Sequence, residues 1–368
     1  MAVRTLRRFT KTVFITLNSI LALVFLLACL APYLDPSVWW FMGFLGLAFP
    51  YLVILLIFSM FFWWVVNFKY SLIPILTLLI GFKQLQVLFG VKPGTMFKDR
   101  KDTSAIRIVD WNIRSFEGLS NKADKKRIDR LSIAEAIMRK NPDVVCLQEF
   151  NHSNVQDNFA LFSSKYPHHY FSKDFKRRTN NYQSGSVIFS KHPIIDSGRI
   201  EYPGPYNESL IFADIKGPHG TIRVLTTHLQ SFKFNKRDYE GMEQIKNTEN
   251  QSLQASKSLF QKMRLAFTKR SEQARIVRSV LEKVPYPAVL CGDFNDVPNS
   301  YTYAQIRSNW QDAFLATSMG IGRTFIDVAP TLRIDYIMVE PRFDILQFDM
   351  VDEALSDHLM LITDVALK

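Results

Sequence analysis

Leu290-Cys291-Gly292-Asp293-Phe294-Asn295-Asp296 is the stretch that decides how this chain reads. The apolar run Ala288, Val289 and Leu290 leads the backbone to a glycine, and an Asp and an Asn follow two positions apart. In an extended segment, residues i and i+2 face the same way, so Asp293 and Asn295 are expected to look into one cavity. A carboxylate there can take a proton, and an amide can donate to a phosphate oxygen. Alone, Gly-Asp-x-Asn also makes a strand end closed by an Asx-turn.

Further polar clusters follow strand-like runs in the same part of the chain. Ile106–Asp110 leads into Trp111-Asn112, Asp143–Leu147 into Gln148-Glu149, and Ile222–Thr226 into Thr227-His228. Arg333-Ile334-Asp335-Tyr336 and Ser356-Asp357-His358 complete the set. Each piece has an ordinary structural use: His228 could be a satisfied core histidine, and Glu149 a helix cap. Together, one Glu, three Asp, two Asn and two His at strand ends form an acid/base, amide and metal inventory rather than a packing inventory.

In chain order the set resembles the endonuclease/exonuclease/phosphatase superfamily, which includes deoxyribonucleases, abasic-site endonucleases, neutral sphingomyelinases and inositol polyphosphate phosphatases. The matching pieces are Trp-Asn-Ile (111–113), Gln-Glu (148–149), Ser-Gly-Ser-Val-Ile-Phe-Ser (184–190) and Thr-His-Leu (227–229). Gly-Asp-Phe-Asn (292–295), Arg-Ile-Asp-Tyr-Ile (333–337) and Ser-Asp-His (356–358) follow. The resemblance implies a four-layer α/β sandwich over residues 104–368, two packed mixed β-sheets flanked by helices, and hydrolysis of phosphate esters. It also implies roles. Glu149, with Asn112 and Asp357, would hold a divalent ion, Mg²⁺ with Mn²⁺ as a substitute, since the donors are hard oxygens. Asp293 would activate water, Asn295 would hold a phosphate oxygen, and His358, oriented by Asp335, would contact the phosphate. His228 would protonate the leaving group, and Arg114 would bind substrate.

Two positions depart from the abasic-site endonucleases: Arg114 stands where they carry an acid, and His228 where they carry a Tyr. Both point to the deoxyribonuclease and sphingomyelinase type. Asn112–Phe116 resembles the deoxyribonuclease version specifically and keeps a nuclease as the second reading. The basic residue that inositol phosphatases carry after the Gly-Asp-x-Asn tetrad is missing from Asp296–Ser300.

The N-terminal third is of another kind. Thr12–Leu34 and Pro36–Asn67 carry no ionisable charge apart from Asp35 between them, and a third apolar run, Tyr70–Phe89, contains Lys83. The first two are long enough to cross a bilayer as helices; the third spans only if Lys83 sits near an interface. Helices are expected at about 12–34, 38–66 and 70–89, with Trp39, Trp40, Trp63, Trp64 and Tyr70 at run ends. A cleaved signal peptide fits poorly, because the run is too long and Cys29-Leu30-Ala31-Pro32 is a poor cleavage site. Arg4, Arg7, Arg8 and Lys11 put the N-terminus inside. Three spans would place the following domain outside, although Lys92, Lys98, Arg100 and Lys101 argue the other way; a third run lying in the interface would leave it cytoplasmic. The expectation adopted is an anchor over 1–92, a linker over 93–103, and an external, periplasmic domain at a bacterial inner membrane.

Charge narrows the partners. Of the net +11, residues 1–92 contribute +6, and the segment 231–270, with nine Lys/Arg against four Asp/Glu, contributes +5. The remainder is near neutral, unlike a protein that grips long nucleic acid through many phosphates. That basic segment reads as an insertion whose stripe Leu253, Leu259, Phe260, Met263, Ala266 and Phe267 either packs on the domain or lies on lipid. Ala123–Lys140 and Ser271–Lys283 read as amphipathic helices, and Ser186–Ser190, Leu210–Ile215 and Ile222–Thr227 as strands. Three cysteines make no disulfide framework, and a Cys146–Cys291 bridge stays open. The expected partners are a phosphoester, lipid or nucleic acid, and a bilayer, with no protein partner. A non-catalytic binding role finds no support, since every expected catalytic position is filled.

Overall fold

The structure is a computed structural model that describes residues 2–94, 96–117, 123–204, 208–234, 238 and 252–368. It opens with α1 (Ala2–Ala28), α2 (Phe41–Val66), α3 (Phe68–Ile80) and α4 (Phe82–Leu88). Helix α2 is apolar on every side, and Ile54, Phe58, Phe61 and Val65 remain exposed. A helix of that kind belongs in a core or a bilayer. Two helices, Arg8–Ala28 within α1 and Phe41–Val66, are long and apolar enough to cross a membrane.

The expected helix over 12–34 ends early, at Ala28, because residues 29–34 turn ahead of Asp35-Pro36. Over 70–89, where one helix is expected, the chain forms two. It breaks at Gly81 into α3 and α4, which meet at 65°. A Cβ at Gly81 would lie 2.4 Å from the Phe25 ring, so the close approach of α1 requires glycine there.

The rest of the described chain is a two-sheet sandwich. After β1 (Gly90–Val91) come β2 (Ile106–Asn112), α5 (Ala123–Arg139), β3 (Val144–His152), β4 (His168–Phe171), β5 (Phe175–Arg177) and β6 (Tyr182–Ser190). Then follow β7 (Ile194–Glu201), β8 (Ser209–Gly217), β9 (Gly220–His228), α6 (Ser252–Leu281) and β10 (Ala288–Asp293). Helix α7 (Tyr301–Arg307), β11 (Gln311–Asp312), α8 (Ala313–Thr317), β12 (Met319–Gly320), β13 (Asp335–Val339), β14 (Phe343–Val351) and β15 (Met360–Leu367) finish the chain.

One sheet runs β11-β13-β10-β9-β8-β7 and the other β14-β15-β2-β3-β6-β4, with β5 on β6. Their inner faces meet through Ile108, Cys146, Val224, Cys291 and Ile337. Ile133 and Ile137 of α5 cover one outer face, and Ala274 and Val277 of α6 with Ile306 of α7 cover the other. This is the expected four-layer arrangement. All three cysteines are buried free thiols.

Residues 252–281 form one helix, not a stripe followed by a separate helix from Ser271. No Gly or Pro interrupts that stretch, so nothing stops the helix. Leu259, Ala266 and Phe267 are buried; the neighbouring 235–237 and 239–251 of the basic insertion lie outside the described residues.

The N-terminal helices pack on the sandwich. Asn299 Nδ2 donates to Ala28 O at 2.9 Å and Arg333 Nη2 to Val87 O at 2.8 Å. Arg275 pairs with Asp35 in the α1–α2 loop. Lys98 and Asp99 lie along the second sheet: Lys98 N donates to Gln347 Oε1, and Arg107 Nη1 to Asp99 O.

Candidate active site

Register does most of the positioning. In the parallel β9–β10 pair Asp293 lies opposite His228, and in the antiparallel β10–β13 pair it lies opposite Asp335. Three chemically active side chains thus end three adjacent strands side by side. Gly292 makes this possible: its φ is +143°, and a Cβ there would sit 2.0 Å from Thr227 O. Only glycine fits so close to the next strand.

Asn295 arrives by another route than the strand pattern predicts. The strand ends at Asp293, and Asn295 has φ +52°. Its N–H donates to Asp293 Oδ1 at 2.7 Å, an Asx-turn, and its Nδ2 donates to Leu229 O at 3.0 Å. Turn and shared cavity are the same object, because both residues line one cleft.

The second sheet contributes Asn112 and Glu149. Asn112 ends β2, and Ser356 Oγ ties its carbonyl down at 2.7 Å. Its Nδ2 donates to Asp293 Oδ2 at 3.1 Å and to Glu149 Oε1 at 3.4 Å. Glu149 has φ +54° at an irregularity in the β3–β6 ladder between Leu147 and Phe150. Such a bulge re-aims a side chain.

Asp293 Oδ2 is the focus. Besides Asn112, His228 Nε2 stands 3.5 Å away and His358 Nε2 3.9 Å away. The far side of each ring faces a carboxylate: His358 Nδ1 lies 2.9 Å from Asp335 Oδ1, and His228 Nδ1 lies 3.0 Å from Glu208 Oε2. Trp111 Nε1 donates to His358 O at 2.8 Å, and Thr324 Oγ1 accepts from Asp335 N at 3.1 Å. Asp357 lines the cleft, and Arg114 Nε stands 3.6 Å from its Oδ2.

The electrostatics follow. Burial works against protonation of His228, but Glu208 and then Asp293 outweigh it and hold the ring up to about 10. Burial likewise opposes protonation of His358, and Asp335 and Asp293 raise it to about 10. Burial and then Asp335 push Asp293 up to about 6, with the two histidines pulling back. Two acids and a poised base converge on one spot, an arrangement suited to acid/base chemistry on an anion.

Two groups could attract a cation. Glu149 projects from the bulge beside Asn112, and no ion pair among the described residues involves it, so a hard oxygen donor is available. Asp293, Asp335 and His358 also bring ligand atoms within 4.8 Å of one another.

The residues predicted from sequence therefore gather at one place, and Arg114 borders it through Asp357. Glu208 escaped notice. The β8–β9 hairpin, with Gly217 opposite Gly220 and Leu210 opposite Thr227, gave a signal for it. Counting back from that turn puts residues 208–209 beside His228.

This sandwich, with its strand-end cluster, defines a known class of hydrolase. The chain belongs to the Endonuclease/Exonuclease/phosphatase family, whose profile matches residues 111–358. It is thereby a hydrolase of phosphoesters, from a family that depends on divalent metal. Residues 11–88 match a Domain of unknown function (DUF8431). No curated protein matches the chain.

Solved structures share the fold. An endonuclease/exonuclease/phosphatase from Beutenbergia cavernae DSM 12333 is 22% identical, with TM-score 0.50, over 73% of this chain and 72% of that one. The human Nocturnin catalytic domain with bound sulfate anion is 19% identical, with TM-score 0.51, over 73% and 97%. A family protein from Leptotrichia buccalis C-1013-b is 14% identical, with TM-score 0.51, over 72% and 100%.

Proposed function

We propose that this chain is a membrane-anchored, Mg²⁺-dependent phosphodiesterase or phosphatase acting on a phospholipid headgroup or a small phosphoester. The observation that carries the reading is the convergence of Asn112, His228 and His358 on Asp293 Oδ2, in a cleft whose wall includes Leu47 and Tyr51 of α2. We read residues 1–92 as the anchor, 93–103 as the connection and 104–368 as the catalytic unit.

In this reading Asp293 takes the proton of the attacking water. An amide nitrogen carries two hydrogens, so Asn295, which spends one on Leu229 O, keeps one for a phosphate oxygen. His358, fixed through Nδ1 by Asp335, offers Nε2–H to the phosphate, and Arg114 adds positive charge at the rim. His228 gives its Nε2 proton to the leaving oxygen. Glu149, held by Asn112, and Asp357 would bind the ion, Mg²⁺ or Mn²⁺ in place of it. Such an ion supplies charge neutralisation at the phosphate.

Orientation is part of the proposal. Arg275, Asn299 and Arg264 all meet the α1–α2 segment: Arg275 on Asp35, Asn299 on Ala28 O, and Arg264 5.5 Å from the Trp40 ring. Lys83 lies 5.9 Å from the ring of Tyr33 in the same loop. The domain thus sits at the end of α1 opposite its basic N-terminus. With that terminus inside, the domain is external, periplasmic in a bacterial inner membrane, and the bent α3–α4 pair makes the third crossing.

The test uses the full chain in detergent, with Mg²⁺ or with chelator, on phospholipid vesicles and on DNA, and with H228A as control. Metal-dependent lipid turnover lost in H228A is the expected result. DNA cleavage with inert lipids would instead support a tethered nuclease, the reading that Asn112–Phe116 favours; steep salt dependence would accompany it.

A further inference from the structure

Helices α2 and α6 each carry an apolar stripe at four-residue spacing. On α2 it is Gly43, Leu47 and Tyr51; on α6 it is Phe267, Met263 and Leu259. Residues four apart on a helix share a face. The stripes touch at one end, where a Cβ on Gly43 would lie 2.5 Å from the Phe267 ring, and Phe44 stacks on Phe260 at 5.0 Å. Further along they part, and Leu47, Tyr51, Leu259 and Met263 become walls of a cleft of about 520 Å³.

The floor of that cleft is the catalytic cluster, including Asn112, Glu149, His228, Asp293 and His358. Its far wall is the segment holding Val328 and Leu332. Val328 is 67% exposed and sits at φ +64°, a conformation β-branched residues avoid. Here a strained backbone turns an apolar side chain outward at the mouth of the cleft. A second cleft, of about 340 Å³, meets the first at Glu149, His228 and Lys233. It is the more polar of the two: Ser115, Asp174, Ser184, Ser186 and Glu208 line it beside Phe175.

Resting on the hydrolase reading above, we propose that the substrate is a lipid phosphodiester whose hydrocarbon arm lies between α2 and α6. The phosphate sits over Asp293, and the polar alcohol arm occupies the second cleft. The occupant of the apolar cleft follows from its continuity with α2, which is long and apolar enough to cross a membrane. A tail leaving the cluster along Leu47 and Tyr51 passes into the hydrocarbon region without crossing water. Water adds to phosphorus as the P–O bond to one alcohol breaks. Asp293 takes the water proton, His228 protonates the departing oxygen, and the products are a phosphate monoester and an alcohol. The anchor helix is thereby a wall of the substrate site as well as a tether.

The experiment compares kcat/KM of the full chain in detergent micelles on paired phosphodiesters. Each pair shares a choline, ethanolamine or glycerol headgroup, with either four-carbon or eighteen-carbon acyl chains. The wild type is expected to favour the long-chain member by at least tenfold. L47W, which fills the groove, and V328D, at its exposed mouth, are expected to bring that ratio close to one, mainly through KM. A ratio near one in the wild type, or a preference that neither variant changes, overturns the groove. Faster cleavage of an oligonucleotide than of either lipid, unaffected by L47W, overturns it as well. Absence of metal-dependent hydrolysis of every ester tested is a different failure, that of the hydrolase reading itself. V328D changes an exposed residue, so the test survives if L47W fails to fold.

Discussion

Glu208 stands 3.0 Å from Nδ1 of His228, so the imidazole is pinned from behind while its Nε2 faces the cluster. A carboxylate in that position fixes the tautomer and holds the ring protonated. Replacing it by Gln keeps the hydrogen bond and removes the charge. The His228 pKa then falls, because Glu208 is the leading group that raises it. We expect E208Q to move the alkaline limb of the pH–rate profile toward lower pH, with KM little changed. An alkaline limb in the wild-type position would exclude Glu208 as the group that charges His228.

Asp293 as the proposed base predicts an acid limb. Burial and Asp335 raise its pKa to about 6, and it accepts a proton only when ionised. Activity is therefore fully present above this value and lost as pH falls through it. D293N should lose about 10²–10⁴ in kcat, the scale of a removed general base, and should lose the acid limb with it. A limb that persists in residual D293N activity would assign it to another group.

Glu149 gives a prediction about metal. With no cationic partner among the described ion pairs, its carboxylate is available to an ion, and E149Q withdraws that charge. Mg²⁺ binding to the native state raises thermal stability by mass action. Titration followed by thermal unfolding should show the wild type rising in Tm with Mg²⁺, and E149Q needing at least about tenfold more ion for the same rise. Equal titrations would move the ion site elsewhere.

Gly292 is expected to tolerate no side chain. G292A places a Cβ at 2.0 Å from Thr227 O with φ +143°, so β10 must move away from β9. A cost of about 1–3 kcal/mol from backbone strain alone is expected, seen in chemical denaturation. Activity should drop further than stability, because the displaced strand carries Asp293.

Arg333 has a structural task beside the site. It is buried, with Nη1 2.5 Å from Asp312 Oδ2 and Nη2 on Val87 O of α4. D312A leaves that guanidinium uncompensated in the interior, at a cost of about 3–5 kcal/mol. R333M, which removes the charge together with its need for a partner, should be milder in Tm than D312A. The reverse order would show that the hydrogen bond to α4 outweighs the ion pair.

The site was legible in sequence because strand-end positions are local. Trp111-Asn112, Gln148-Glu149 and Thr227-His228 each close an apolar run, Asp335 opens one, and register then brings these ends together. Asn295 marks the limit of local pattern: it reaches the cavity through an Asx-turn, not as the i+2 residue of a strand. The break at Gly81 comes with a close approach of the Phe25 ring of another helix, a contact that no local pattern reports. Nor does sequence show Tyr51 beside Thr331, 280 positions away, where Thr331 Oγ1 donates to Tyr51 OH at 3.4 Å. The single helix over 252–281 is legible in the absence of Gly and Pro from that stretch.

The three ties from the sandwich to Ala28 O, Asp35 and Val87 O come from Asn299, Arg275 and Arg333, on separate elements. Three such points fix a rigid body against rotation in every direction. In the membrane reading proposed above, a domain clamped this way would work at a constant height above the leaflet and would meet a lipid substrate by diffusion in two dimensions. Its rate is then governed by the mole fraction of substrate in the surface. Diluting the lipid with an inert one would slow it, whereas diluting the whole suspension with buffer would not.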